Sequence, residues 1–440
     1  MKNGDILTLD IKETNIMANG VAKHGNMVVF CKGAVAGDKV RAEITDVKKN
    51  YAEARITDIE SYSANRIDPV CPYSDKCGGC SLSHVTYNHE LSVKKIGVEA
   101  SFRRCGAFSE NISETVYGKE LGYRNKAVFR FDGNKNIGFY AKGTKDFVEI
   151  DKCLLCDDTI NIIMKKAREL LQSENNIDAK HLTYLYIRYM KTTDEASVAI
   201  GYKGSDGLTS FANKLSAAMP QIKCIMRGKE DNPESRKEKL TLIWGNEHIN
   251  EVFCSLKMKV SPASFFQVNH DVAEKLCETV AELASLKENE AFLDLYCGTG
   301  IIGLTVARKY PKARVIGIEI NPKAIQNAKE NAKLNEITNA EFFCGDSSEL
   351  AKALTDKISC VTVDPPRAGL SEKTVNELIR LSPERIIYVS CNPSTMSRDI
   401  KKMLGKYSIN KAVAVDLFPR TLHVETVVLL SKDVVDKDNF

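Results

Sequence analysis

The spacing of apolar residues changes twice along the chain and divides it into three stretches. Residues 1 to about 60 alternate apolar and polar positions in short runs, Ile6–Ile11 and Met27–Cys31 among them, with Gly20, Gly25, Gly33 and Gly37 in the gaps. Alternation with period two puts one face of each run inside, and several such strands joined by glycine turns predict a small β-barrel of the OB-like kind. Residues 61–257 read as a mixed α+β region. A hairpin is predicted where Lys126–Phe131 turns at Asp132-Gly133-Asn134 into Ile137–Tyr140, a helix follows Thr159, and the polar run Gly228–Lys239 predicts an exposed loop.

From residue 258 to 440 short apolar runs alternate with helical ones. Ala291–Leu295, Arg314–Ile318, Ala340–Cys344, Ile358–Val363 and Arg385–Val389 are strand-like, and Leu304–Lys309, Lys323–Leu334 and Lys373–Leu381 separate several of them with a helical period. The fold class is therefore α/β: a Rossmann-like domain with a parallel sheet covered on both faces, ligands being expected beyond the carboxyl ends of its strands. The last runs, Ala412–Leu417 and Thr426–Leu430, have no helix between them and predict an antiparallel pair at the sheet edge, with Glu425 opening the final strand.

The chain's 440 residues exceed one ordinary domain, and 43% hydrophobic with 27% charged residues is the balance of a globular protein. No apolar run approaches a membrane span and the amino-terminal residues lack a signal-peptide core, so the expectation is a cytoplasmic protein without membrane association. A net charge of +4 proves no nucleic-acid partner, so local pattern has to argue it. Lys39, Arg41, Lys48, Lys49 and Arg55, with Tyr51 among them, form either a solvated face or an RNA-binding surface. Fourteen cysteines without an export signal point to metal ligation or catalysis where they cluster, while scattered ones, such as those in Phe343-Cys344 and Ser359-Cys360-Val361, are expected in the core.

Gly298-Thr299-Gly300-Ile301-Ile302-Gly303 follows a predicted strand and opens a helix, and Glu319 ends the next strand, where it can bond ribose hydroxyls. Dinucleotide and S-adenosylmethionine sites share both features. Asp294 separates them, because a carboxylate at the end of the first strand would repel a pyrophosphate at the helix terminus and suits an ammonium and a sulfonium. Its bland reading is a helix-capping carboxylate. On the favoured reading Gly298 and Gly300 admit the amino-acid portion of S-adenosylmethionine, Glu319 holds the ribose and Asp346 lies near the adenine.

Asp364-Pro365-Pro366-Arg367 ends the fourth strand, where groups touch substrate and cofactor together, and the prolines fix the direction of the chain. Arg367 stands where an amine methylase would carry a stacking aromatic. Cys391 closes the fifth strand just before a predicted helix start at Pro393, which predicts a thiol favoured as thiolate by the helix dipole. Thiolate addition to carbon 6 of a uracil makes carbon 5 nucleophilic, and a base must then remove the carbon 5 proton. Glu425 is the candidate base, with His423 either an alternative or its orienting partner.

Gln267 in Ser264–Asn269, the segments Asp294–Gly300, Asp364–Arg367, Ser390–Pro393 and His423–Thr426, taken together, resemble the RNA (uracil-5-)-methyltransferase family. Residues 1–60 resemble the TRAM domain found in many members, so the resemblance spans nearly the whole chain. It implies that Cys391 is the nucleophile, that Glu425 is the base, and that Gln267, Tyr296, Glu319 and Asp364 contact S-adenosylmethionine.

Cys71, Cys77 and Cys80 stand in C-x5-C-x2-C spacing around Gly78-Gly79, and Cys153 or Cys156 could complete a site for either zinc or an iron-sulfur cluster. Family members similar in this spacing bind a four-iron four-sulfur (4Fe-4S) cluster, which implies Cys153 as the fourth ligand. TRAM domain and cluster together resemble the branch that acts on 23S rRNA more than tRNA-modifying members. The expected partner is thus RNA, with Arg124 and Lys126 as phosphate contacts, and no protein partner is inferred. A tRNA methyltransferase, a nicotinamide-dependent oxidoreductase and a non-catalytic RNA-binding protein are the rival readings.

Overall fold

The computed structural model describes residues 1–106, 112–204, 207–233, 235, 238–262, 264–354 and 357–433, so residues 234, 236 and 237 of the predicted polar loop lie outside them. Strands Ile6–Asp10, Glu13–Thr14, Asn19–His24, Met27–Lys32, Lys39–Val47 and Tyr51–Ser61 form a six-stranded sheet. It curls back on itself, Lys12 donating its N–H to the Val21 carbonyl at 2.9 Å, and encloses Leu9, Val29, Val40, Ile44 and Ala52. The alternating cations on its outer face carry carboxylate partners: Lys39 with Glu60 at 3.2 Å, Lys48 with Asp46 at 2.8 Å and Arg55 with Glu43 at 2.8 Å. That pairing favours the solvated-face reading for these three.

The middle region builds a seven-stranded mixed sheet in which Lys126–Phe131 and Ile137–Tyr140 pair antiparallel through Arg130 and Gly138, as the hairpin signal predicts. Helices Asp158–Ser173 and Leu208–Ala218 cover one face. The helix Tyr87–Cys105 was not legible in the hydrophobic pattern. It starts at a Thr86 cap and ends at Gly106 in the left-handed conformation, but its buried face mixes Val93, Val98 and Phe102 with the fully buried Glu90 and Lys94. Charged residues on the inward stripe erase the period that marks an amphipathic helix.

The third sheet contains, in chain order, Ala291–Leu295, Arg314–Glu319, Ala340–Cys344, Cys360–Val363, Arg385–Ser390, Tyr407–Val415 and Glu425–Lys432. Their spatial order is third, second, first, fourth, fifth, seventh, sixth. The first five run parallel, and the seventh is antiparallel to both neighbours. The final pair is therefore antiparallel as expected, but its last strand is not at the edge: it inserts between the fifth and sixth, and Glu425 is buried. At the opposite edge lies the third strand, which leaves Phe343 and Cys344 exposed where core positions were expected, while Cys360 on an inner strand is buried.

The hairpin Ile249–Phe253 and Leu256–Val260 spans the expected boundary at residue 257 and shares one continuous core with both sheets. Its Lys259 N–H reaches Asn331 at 3.0 Å on helix Pro322–Leu334. Arg188, 1% exposed on the middle sheet, donates to the Ser261 and Ser264 carbonyls at 3.2 and 2.9 Å. A guanidinium so enclosed fixes the segment leading to Gln267.

On the third strand Phe342 turns inward, and close approach explains two glycines: a Cβ at Gly317 would sit 2.4 Å from the Phe342 ring, and one at Gly300 would sit 2.9 Å from it. Replacing Phe342 with Ala should therefore leave a cavity and cost about 3–5 kcal/mol of stability, read as a lower denaturant midpoint in equilibrium unfolding.

Candidate active site

The carboxyl ends of the parallel strands form one rim. Asp294, with no exposed surface, accepts the Gly303 N–H at 3.0 Å through Oδ2, so the capping role is real, yet its buried Oδ1 has no hydrogen-bond partner. Burial first, then Asp364 and Glu319, push its pKa up to about 8. Gly300 caps helix Ile301–Lys309 at φ 81° without any side chain, leaving the helix terminus open to a ligand. Tyr296 stands beside it at φ 63°, its hydroxyl 3.2 Å from the Thr374 hydroxyl.

Glu319 accepts the Asn321 N–H at 2.8 Å and the Gly298 N–H at 3.3 Å, which ties the second strand's end to the glycine turn. Asp346 caps helix Ser347–Ala353 through Ser348 and Glu349, and the Ser348 hydroxyl holds its pKa below the ordinary value. These residues and Asp364 are brought to one rim by the parallel register.

The candidate pair Cys391 and Glu425 comes from strands of opposite direction. Ser390 pairs with Thr426 in the fifth and seventh strands, so continuing the register by one residue sets Cys391 against Glu425. Glu425 is 7% exposed, and burial followed by the nearby Asp364 pushes its carboxyl up to about 8 while Arg367 opposes the rise. Asp364 is itself pushed up to about 7 by burial.

The Cys391 thiol is raised, not lowered as the helix-dipole argument predicts. Burial and the Glu425 carboxylate outweigh the favourable Arg367, and Asn392 already accepts the Ser394 N–H at 3.1 Å in the first turn of helix Pro393–Lys401. The Arg367 guanidinium lies close to Cys391 and is the cation that favours thiolate. The sequence marked it only by the aromatic it replaces. His423 neither bonds nor orients Glu425 among the described hydrogen bonds; its ring lies edge-on to Phe418 at 5.7 Å and is largely exposed.

Asn125 fixes Gln267 from the middle sheet, its amide donating to the Gln267 carbonyl at 2.9 Å and its N–H to the Val268 carbonyl at 2.9 Å. No sequence signal marked Asn125 or Arg188 for this work. Gln267 lines a cleft of about 680 Å³ together with Arg124, Lys126, Phe265, Arg367 and Phe418. Phe265 is 72% exposed there. The cleft joins the reactive cysteine's neighbour to two cations and an exposed ring, which suits an unstacked base and its phosphates.

Cys71, Cys77, Cys80 and Cys153 all line a second cavity of about 370 Å³, whereas the buried Cys156 lines the cleft instead, and its proximity lowers the Cys153 pKa. Burial pushes Cys80 up to about 12, and the neighbouring Cys153, Cys71 and Cys77 add to the rise. Gly78 is needed here for close approach, since a Cβ would lie 2.8 Å from the Lys142 Cα. Among the described residues no three ligating side chains are grouped as one metal ion requires. Arg124 and Phe139 line both this cavity and the cleft.

Comparison with known proteins agrees with this architecture. The family model for tRNA (uracil-5-)-methyltransferase matches residues 86–433, and the TRAM domain model matches residues 1–57. An uncharacterised RNA methyltransferase of Clostridium acetobutylicum is 36% identical over 99% of this chain and 98% of its own length. One from Staphylococcus aureus is 33% identical over 97% and 98%. The tRNA (uracil-54, C5)-methyltransferase of Pyrococcus abyssi, solved with S-adenosyl-L-homocysteine, superposes with a TM-score of 0.77 at 28% identity, covering 96% of this chain and all of that one. The oxidoreductase and non-catalytic readings therefore fall away, and among the described residues no helix is long and apolar enough to cross a membrane. The chain belongs to the tRNA (uracil-5-)-methyltransferase family, an S-adenosylmethionine-dependent RNA methyltransferase with an amino-terminal TRAM domain.

Proposed function

We propose that this protein methylates carbon 5 of a uridine in RNA, with Cys391 as nucleophile and Glu425 as base. The observation that carries the roles is the register that sets a buried carboxylate against a thiol with the Arg367 guanidinium nearby. The Cys391 sulfur adds to carbon 6 and Arg367 favours its ionised form. S-adenosylmethionine, when bound, supplies an electrophilic methyl group for carbon 5. Glu425 then takes the carbon 5 proton, the electrons of that C–H bond restore the ring double bond, and the C6–S bond breaks to return the thiolate.

Asp294 and Asp364, two carboxyls raised by desolvation without a lowering cation among the described residues, fit a ligand bearing an ammonium and a sulfonium. Asp294 would hold the amino group, Glu319 the ribose and Asp346 the adenine side, with Gln267, Tyr296, Gly298 and Gly300 completing the cofactor's surroundings. For the cysteines we propose a 4Fe-4S cluster on Cys71, Cys77, Cys80 and Cys153. The lining of one cavity by these four cysteines, in the spacing that the resembling family members use for a cluster, supports this reading.

For the RNA we propose 23S rRNA, on the pairing of a TRAM domain with these cysteines. A tRNA T-arm uridine is the second reading, favoured by the alignment of 96% of this chain with a tRNA enzyme. The target base must leave its stack to reach Cys391. The three stretches 1–60, 61–257 and 258–440 then serve RNA binding, RNA binding with the cluster, and catalysis, and the proposed place of action is the cytoplasm.

With 5-fluorouridine fragments of 23S rRNA and S-adenosylmethionine, the protein should form a denaturation-resistant adduct, and a T-arm fragment should not. Cys391→Ala should abolish the adduct, and Glu425→Gln should accumulate it even on ordinary uridine RNA. Turnover by Cys391→Ala would remove the nucleophile assignment. For the cluster, anaerobic preparations should contain iron and sulfide in about equal amounts with a broad charge-transfer absorbance, lost in Cys153→Ser and kept in Cys156→Ser.

The raised Glu425 carboxyl also has a sign in stability. Between its ordinary value of 4.5 and about 8 the folded state holds a proton the unfolded chain lacks, so rising pH destabilises the fold through that window. Glu425→Gln cannot ionise. Its denaturant midpoint relative to the parent, without ligands, should rise from pH 5 to pH 9, and a constant difference would contradict the burial-driven shift.

A further inference from the structure

The loop between the sixth and seventh strands ends at Glu425, and the segment 81–123 holds Asp416 and each residue from Phe418 to Arg420. Lys94, fully buried, donates to Asp416 Oδ1 at 2.6 Å, to the Phe418 carbonyl at 3.1 Å and to Glu90 Oε1 at 2.7 Å. Asp416 Oδ2 accepts the Tyr87 hydroxyl at 2.8 Å, and the Leu417 carbonyl accepts from Asn269 at 3.2 Å. The Pro419 carbonyl accepts the Tyr123 hydroxyl at 3.0 Å. Arg420, at φ 67°, donates its N–H to Glu90 at 2.7 Å and its guanidinium to the Val85 carbonyl at 2.7 Å and to Glu120, while its carbonyl accepts from Ser81 and Leu82.

Three acceptors satisfy the Lys94 ammonium, and the two carboxylates it joins lie on different parts of the fold. Burying such charges is costly unless they are paired, and hydrophobic residues would have served stability as well. What the ion cluster adds is direction: Asp416 directly follows Val415, and Val415 pairs with Glu425 across the mouth of the loop. The start of the seventh strand is thus set by groups on helix Tyr87–Cys105, far from it in sequence.

We infer that Lys94, Glu90, Asp416 and Tyr87 are positioning residues for Glu425, acting on proton abstraction from carbon 5 and release of the product, and not on thiol addition. The inference rests on the proposed roles of Cys391 and Glu425. In the reaction it bears on, the C5–H pair becomes the C5–C6 double bond, the C6–S pair returns to sulfur and the proton goes to Glu425.

The test uses the full-length protein and two variants, Lys94→Met and Tyr87→Phe, the second removing one hydrogen bond and leaving every charge. Capture of 5-fluorouridine RNA, which stops before proton abstraction, should proceed at the parent rate in Tyr87→Phe, while turnover on uridine RNA slows about tenfold and the covalent adduct builds up. Lys94→Met, if it folds by its melting temperature, should show the same split more strongly. Unchanged turnover in Tyr87→Phe, or capture and turnover falling in equal proportion, would overturn the inference. Failure of the unsubstituted protein to capture the RNA would instead overturn the proposed function, and this inference with it.

Discussion

The site depends on one reversal of strand direction. Parallel strands deliver their carboxyl ends to a common rim, which is why Asp294, Glu319, Asp364 and Cys391 meet there. A strand inserted antiparallel among them brings its amino end to the same rim, and that end is Glu425. With a sixth parallel strand in that place, the carboxylate would lie at the far side of the sheet. The register of the hydrogen-bond ladder between Arg385–Ser390 and Glu425–Lys432 therefore fixes which residue faces the Cys391 thiol.

That ladder ends in a loop, and loops by themselves fix little. Here the uncertainty is removed from outside the sheet. Helix Tyr87–Cys105 places a fully buried ammonium against Asp416, and the chain just past Cys80 bonds Arg420. The middle sheet acts in the same way on the opposite wall, where Arg188 and Asn125 hold the segment that ends in Gln267. Both walls of the cleft are thus set by polar side chains on elements that precede the Rossmann-like sheet. The cysteine-lined cavity touches these supports through Arg124, which also faces the cleft.

Electrostatically the rim is unfinished. Asp294, Asp364 and Glu425 are all raised by loss of water, and Asp364 raises the other two further. Carboxyls gathered like this suit a cationic ligand, and among the described residues Arg367 is the cation that opposes the rise at Glu425. The same carboxylates and the burial that raises them explain why Cys391 is not held as a ready thiolate despite the helix that follows it.

Much of this was legible in the residues. The alternation of apolar runs gave the order of strands and helices in the last stretch, the glycine turn after Asp294 gave the ligand end, and the short polar motifs carried the family. These signals are local: each depends on a few neighbours along the chain, and backbone geometry converts them directly into strand, turn or helix start. The sequence by itself therefore determined the alternating elements of the last stretch, the family and the cysteine spacing. Tertiary structure alone decided that the last strand lies inside the sheet and not at its edge, that Arg367 comes close to the thiol, and that helix Tyr87–Cys105 exists with Glu90 and Lys94 on its buried face. Those facts depend on partners distant in sequence. A charge reads as solvent-facing until its counter-charge is known, and a strand's neighbours are set by which edge remains unpaired when it arrives.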